Sequence, residues 1–141
     1  MKQQTIYLDT SVIGGCFDPE FEKWSNGIIK DLESGFFRGV TSPIVAAEVA
    51  NAPAEVKDRY RHFISLGVDV VDVNTQVETL TDAYIGHRIL TEKYRADMLH
   101  IALASVYNAD ILVSWNFKHI VHYDKIVKFN AVNMECGYRQ L

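Results

Sequence analysis

Apolar and polar positions along the 141-residue chain follow two periods in turn. Short alternating or unbroken apolar runs predict strands at roughly 5–9, at 37–42 ("FRGVTS"), at 68–73 ("VDVVDV") and at 110–115 ("DILVSW"). Between them, apolar residues recur every three or four positions. Phe21, Trp24, Ile28, Ile29 and Leu32 would line one face of a helix over roughly 20–34, which Gly35 stops. Ser42-Pro43 opens a second helix through "IVAAEVANA", because proline suits a first turn. Pro53 interrupts it, and a further segment runs on to Gly67. Helices are also expected over 75–92 and from near Arg95 to about Asn108, with "GGCFDPE" (14–20) as a loop. "NFKHIVHY" reads as a short helix and "KIVKFN" as a last strand. Strands alternating with helices require crossovers, hence α/β: a mainly parallel sheet of about five strands with helices on both faces, a three-layer α/β/α sandwich formed by one domain over 1–141.

Composition narrows this only a little. The chain is 48% hydrophobic and 23% charged, ordinary for a globular protein, and no run approaches the ~18 apolar residues of a membrane span. "MKQQTIYLD" passes directly into the first strand, so no signal peptide is expected and the cytoplasm is the expected compartment. Cys16 and Cys136 are isolated and form no framework. A formal net charge of −4 argues against nucleic-acid binding by bulk electrostatics, yet a metal held by clustered acids would reverse the local field.

The acids carry the chemical signal. In open parallel sheets, sites form beyond the carboxyl ends of the strands. Asp9 ends the first strand, Glu48 sits in the apolar helix after the second, Asp97 lies in the first turn of "ADMLHIALASVY", and Asn116 follows "DILVSW". Two carboxylates ~4 Å apart at an effective dielectric of ~20 repel by ~4 kcal/mol, so three at one rim need a cation. Oxygen ligands select Mg²⁺ or Mn²⁺, the equipment of phosphodiester hydrolysis. Ser11 and Ser114 are hydroxyls near the same rim, able to orient a carboxylate. Each residue also has a plainer reading. Asp9 could form a turn, Glu48 a solvated helix position, Asp97 a first-turn complement to the helix dipole, and Asn116 an N-cap. Asp110, at the start of its strand, belongs to the opposite rim. His100 is expected to be a packed or hydrogen-bonded structural residue. Phe17, Phe21, Trp24 and Trp115 are expected in the core, and Lys118, His119, His122 and Lys125 could contact phosphates or form a solvated face.

With these motifs, "YLDTSVI", "VAAEVANA", "RADMLHIALAS" and "ILVSWNFKHI", the chain resembles the PIN-domain ribonucleases, the family containing the VapC toxins of type II toxin–antitoxin pairs. The resemblance runs from Ile6 to about Ile120. It implies that Asp9, Glu48 and Asp97 bind the metal, with Ser11 and Ser114 in support. It further implies RNA cleavage with Mg²⁺ or Mn²⁺, a homodimer and a cognate antitoxin. Asn116 departs from the pattern, since many relatives have a further Asp there; with three acids, one well-held metal is expected. The competing expectations are a PIN-like binding subunit without activity and a haloacid-dehalogenase-type phosphatase, for which Ser11 stands where a second Asp is required.

Overall fold

The computed structural model describes residues 2–141. Four parallel strands, β1 (Gln4–Leu8), β2 (Phe37–Thr41), β3 (Asp69–Val70) and β4 (Ile111–Val113), form one sheet in the order β3-β2-β1-β4. Register pairs Tyr7 with Val40 and with Leu112, and Thr41 with Val70. Among the described residues seven α-helices cover it: α1 (Thr10–Gly15), α2 (Glu22–Glu33), α3 (Pro43–Val49), α4 (Ala54–Ser65), α5 (Thr75–Gly86), α6 (Arg95–Val106) and α7 (Tyr123–Glu135).

Alternation along β1 divides the core in two. Ile6 and Leu8 join Val12, Ile13, Ile29, Leu32 and Phe63 from α1, α2 and α4 on one face. Tyr7 points the other way, among Val45, Leu80, Tyr84, Met98, Leu103 and Phe129 from α3, α5, α6 and α7. The three-layer sandwich expected from the alternating periods is therefore present. Truncating a fully buried side chain such as Leu8 to alanine would cost about 2–5 kcal/mol. No helix among the described residues is long and apolar enough to cross a membrane.

Five sequence expectations need correction. The sheet has four strands, not five, because "KIVKFN" belongs to α7. Its six residues look strand-like only in isolation. Phe129, Val132 and Asn133 are buried at helical spacing, and Phe129 meets the Tyr84 ring edge-on at 4.9 Å. "NFKHIVHY" is not a helix but a turn, in which the Asn116 carbonyl accepts from Ile120 and Val121 N–H. The predicted 14–20 loop begins inside α1, whose Val12 and Ile13 are buried. The helix expected to reach 92 stops at Gly86, before Arg88 takes a left-handed conformation (φ 58°). Strand β3 is also shorter than "VDVVDV" suggests.

Candidate active site

Asp9, Ser42 and Ser114 directly follow the carboxyl ends of β1, β2 and β4, and α3 and α6 lean over the same rim. Asp9 occupies the N-cap position of α1, but its side chain makes no capping bond. Its carboxylate instead takes one hydroxyl on each oxygen. Ser11 Oγ donates to Oδ1 at 2.6 Å, and Ser114 Oγ donates to Oδ2 at 2.6 Å. Only 4% of Asp9 is exposed. Burial raises its pKa, and the two hydroxyls, with His100 nearby, only partly offset that rise. The Val12 backbone N–H also lowers the Asp9 pKa, so the carboxylate faces the start of α1 as well as the two serines.

Glu48 stands at the end of a buried relay. His100 Nε2 donates to Glu48 Oε1 at 2.6 Å, and Thr10 Oγ1 donates to the same oxygen at 3.1 Å. On its other side His100 Nδ1 lies 2.7 Å from the Tyr7 hydroxyl, which lies 2.7 Å from Ser42 Oγ. Burial holds the Tyr7 phenol protonated far above neutral pH. The Glu48 carboxylate can only accept, so the His100 nitrogen that faces it, Nε2, carries a proton. His100 is almost wholly buried, whereas the Glu48 side chain is 40% exposed. Burial pushes the Glu48 pKa up, but the bonds from His100 and Thr10 outweigh it and leave it lowered.

Asp97, in the first turn of α6, accepts from His119 Nδ1 at 2.8 Å. His119 is positioned by Asn116, whose Oδ1 accepts the His119 N–H at 3.0 Å, and by the Tyr94 ring at 4.1 Å. Asn116 N–H donates in turn to Ser114 Oγ. Asn116 thus does cap the turn after β4, the plainer of its two readings, and reaches Asp97 only through His119.

Asp9, Ser11, Ser114, Asn116 and Asp97 are linked in one run of bonds that passes through His119, whereas Glu48 bonds only to Thr10 and His100. His119, taken from sequence as a phosphate contact or solvated residue, is buried against Asp97; its spacing from Asn116 was the available signal. Thr10 and Tyr7 were missed, since neither carries a charge. Trp24, expected in the core, is 58% exposed. Asp110 lies at the far rim, bonded to Thr5, as expected.

The donor chemistry fits a hard divalent cation. Glu48 Oε2 and Asp97 Oδ1 make no hydrogen bond, and each Asp9 oxygen retains a lone pair. The spacing is less complete: among the described residues, no three of His, Cys, Asp and Glu are gathered closely enough to hold an ion. Two of the three acids are engaged by histidines instead.

No protein-family model and no curated protein matches the chain. Among solved structures, the crystal structure of VapBC2 from Rickettsia felis, bound to a DNA fragment from their promoter, is similar with a TM-score of 0.59. The match covers 82% of this chain and 90% of that chain at 18% identity. At that identity the likeness is one of fold, and it agrees with the PIN-like sandwich that the sequence resemblance implies.

Proposed function

We propose that this chain is a divalent-metal-dependent endoribonuclease, the toxin of a type II toxin–antitoxin pair, acting as a homodimer in the cytoplasm and held inactive by a cognate antitoxin. The observation that carries the catalytic part is Asp9. It is a buried carboxylate past the end of a central strand, hydrogen-bonded by two serine hydroxyls and paired with no cation, with Glu48 and Asp97 past the same ends of the strands. Burying an anion without a cationic partner is unfavourable, and a bound cation would remove that cost. The toxin and antitoxin parts rest on the family resemblance and on the fold likeness to the VapBC2 assembly.

Asp9, Glu48 and Asp97 would hold Mg²⁺ or Mn²⁺ only by drawing closer together than they stand here, and the bound ion would supply Lewis-acid polarisation of a phosphoryl oxygen and stabilise the charge on the leaving oxygen. The chain's own side chains do the rest. Ser11 and Ser114 fix the plane of the Asp9 carboxylate, so both oxygens keep their outward lone pairs aligned. His100, backed by Tyr7 and Ser42, orients Glu48 while leaving Oε2 towards solvent as an ionised acceptor for a water proton. Asn116 and His119 restrain Asp97 in the same manner.

Cleavage of end-labelled RNA with Mg²⁺ or Mn²⁺, against EDTA, tests the proposal. Wild-type protein should cut only with metal, and Asp9→Asn or Asp97→Asn should abolish cutting with the circular-dichroism spectrum intact. Undiminished cleavage by either variant overturns the assignment. A second reading, a PIN-like binding subunit without activity, is favoured by the histidine engagement of Glu48 and Asp97. Calorimetric titration with Mn²⁺ separates the two, because the nuclease requires saturable binding that Asp9→Asn removes.

A further inference from the structure

Two imidazoles stand among the rim acids, and they are bonded differently. His100 uses both nitrogens inside the fold, Nε2 on Glu48 and Nδ1 against the Tyr7 hydroxyl. Its side chain is 3% exposed, and neither nitrogen is left for a ligand. His119 uses only one. Its Nδ1 lies 2.8 Å from Asp97 Oδ2, and a carboxylate can only accept, so Nδ1 carries a proton. Nε2 makes no hydrogen bond. Among the described residues the one buried side-chain nitrogen or oxygen without a partner is Thr41 Oγ1, so His119 Nε2 reaches solvent. In the neutral ring, a proton on Nδ1 leaves Nε2 with a bare lone pair.

The surroundings hold that orientation. The His119 ring packs on Tyr94 with centroids 4.1 Å apart, and its backbone N–H donates to Asn116 Oδ1 at 3.0 Å. The same turn leads back through Asn116 N–H and Ser114 Oγ to Asp9. A carboxylate on one imidazole nitrogen, with the other nitrogen free, is the arrangement that prepares a histidine to accept a proton. It also gives Asp97 a role where it stands, whereas sharing an ion with Asp9 and Glu48 requires it to move. Glu48 is the weaker base. Against its burial, the bonds from His100 and Thr10 leave its pKa lowered, so it accepts hydrogen bonds from water but holds a proton poorly. Imidazole, as a class, ionises nearest neutrality, where proton transfer is most effective.

We infer that His119 is the general base of this site and that Asp97 is its positioning residue. The inference rests on the nuclease reading for its reaction. Nε2 takes a proton from a water molecule as the water oxygen bonds to the phosphorus of an RNA phosphodiester. The bond from phosphorus to the leaving ribose oxygen breaks, and that oxygen takes a proton from solvent. The proton on Nε2 then passes to solvent, and Asp97 stabilises the imidazolium until it does.

Three measurements test this. In the metal-free protein, long-range proton–nitrogen NMR of the imidazoles should show His119 with its proton on Nδ1; the opposite tautomer overturns the inference. In cleavage of end-labelled RNA with Mg²⁺, His119→Asn, which keeps an N–H where Nδ1 stands, and His119→Ala should each be slowed about 100- to 10,000-fold. Imidazole added to the buffer should restore part of the His119→Ala rate and none of the Asp9→Asn rate, a rescue that a purely structural role does not give. Calorimetric Mn²⁺ affinity should be unchanged in His119→Asn. A wild-type rate in His119→Asn overturns the role, as does a slow His119→Ala that imidazole leaves slow. Loss of Mn²⁺ binding in His119→Asn also overturns it, since His119 would then be a ligand of the ion. Absent cleavage by the wild type is a different result: it ends the nuclease reading and this role with it, whereas the outcomes above end this role alone.

Discussion

Two aspartates sit at opposite ends of the β1–β4 pair, and their surroundings differ in kind. Asp110, at the amino end, accepts Thr5 N–H at 2.8 Å and Thr5 Oγ1 at 3.2 Å, and Arg139 stands 3.4 Å away. The Thr5 backbone bond, and after it the Thr5 hydroxyl and Arg139, hold its pKa below the ordinary carboxylate value. Asp9, at the carboxyl end, takes two hydroxyls and no cation, and burial holds its pKa above that value. One charge stabilises the fold that surrounds it. The other is tolerated by the fold, and on the proposed function a bound cation would be what selects it. A parallel sheet explains the division, because only its carboxyl rim is opened by the divergence of successive loops.

The widest separation should appear in activity. Asp9→Asn should reduce metal-dependent RNA cleavage by more than about 100-fold, beyond the range typical for partners outside a coordination shell. Asp110→Asn should leave the rate unchanged. Equal losses in the two variants would mean that both act through stability, and the functional distinction between the rims would collapse. Ser114→Ala comes next. It removes the donor to Asp9 Oδ2 and an acceptor for Asn116 N–H, so Mn²⁺ affinity or rate should fall about 10- to 100-fold. Calorimetry on the variant reads that directly.

The distinction between these aspartates was partly legible in the sequence. Both flank the ends of apolar runs, and strand polarity alone assigned Asp9 to the site and Asp110 to the far rim. That inference needs only the βαβ pattern, which is a property of long segments. The state of the site was not legible, because it depends on side chains meeting across large separations: Glu48 with His100 and Asp97 with His119. Nor was α7. Its helical identity is fixed by Tyr84 and Ser105 reaching Asn133 and by Phe129 against Tyr84, contacts that no six-residue window contains. Trp24 misled for a similar reason, since its spacing fits an apolar helix face that in three dimensions faces a surface groove.

In stability the order should reverse. Asp110→Asn weakens bonds that tie the start of β1 to β4 at a partly exposed position. A loss of about 1 kcal/mol is expected, the lower range for charged hydrogen bonds once solvent screening is allowed for. For a chain of this size that is a fall of roughly 2–4 °C in Tm. Asp9→Asn, measured in EDTA at neutral pH, should leave Tm equal or higher, since it removes a buried charge and keeps groups that can bond both serines. A clear drop for Asp9→Asn would show that the carboxylate contributes to folding after all.

The finest test is the pH dependence of those two differences in the metal-free protein. Free Asp titrates near 3.9 in an unfolded chain. For Asp9 the folded value lies above that, so the folded state binds more protons between the two values. Its contribution to stability is then complete below the unfolded value and declines as pH rises through the folded one. For Asp110 the folded value lies below, so its contribution is complete above the unfolded value and is lost as pH falls through the folded one. Neither asparagine titrates. Thermal melts of the three proteins from pH 2 to 8 should therefore show the Asp9→Asn difference growing more positive with rising pH, and the Asp110→Asn difference growing more negative. Slopes of the same sign would place both carboxylates in equivalent environments, contrary to the bonds that surround them.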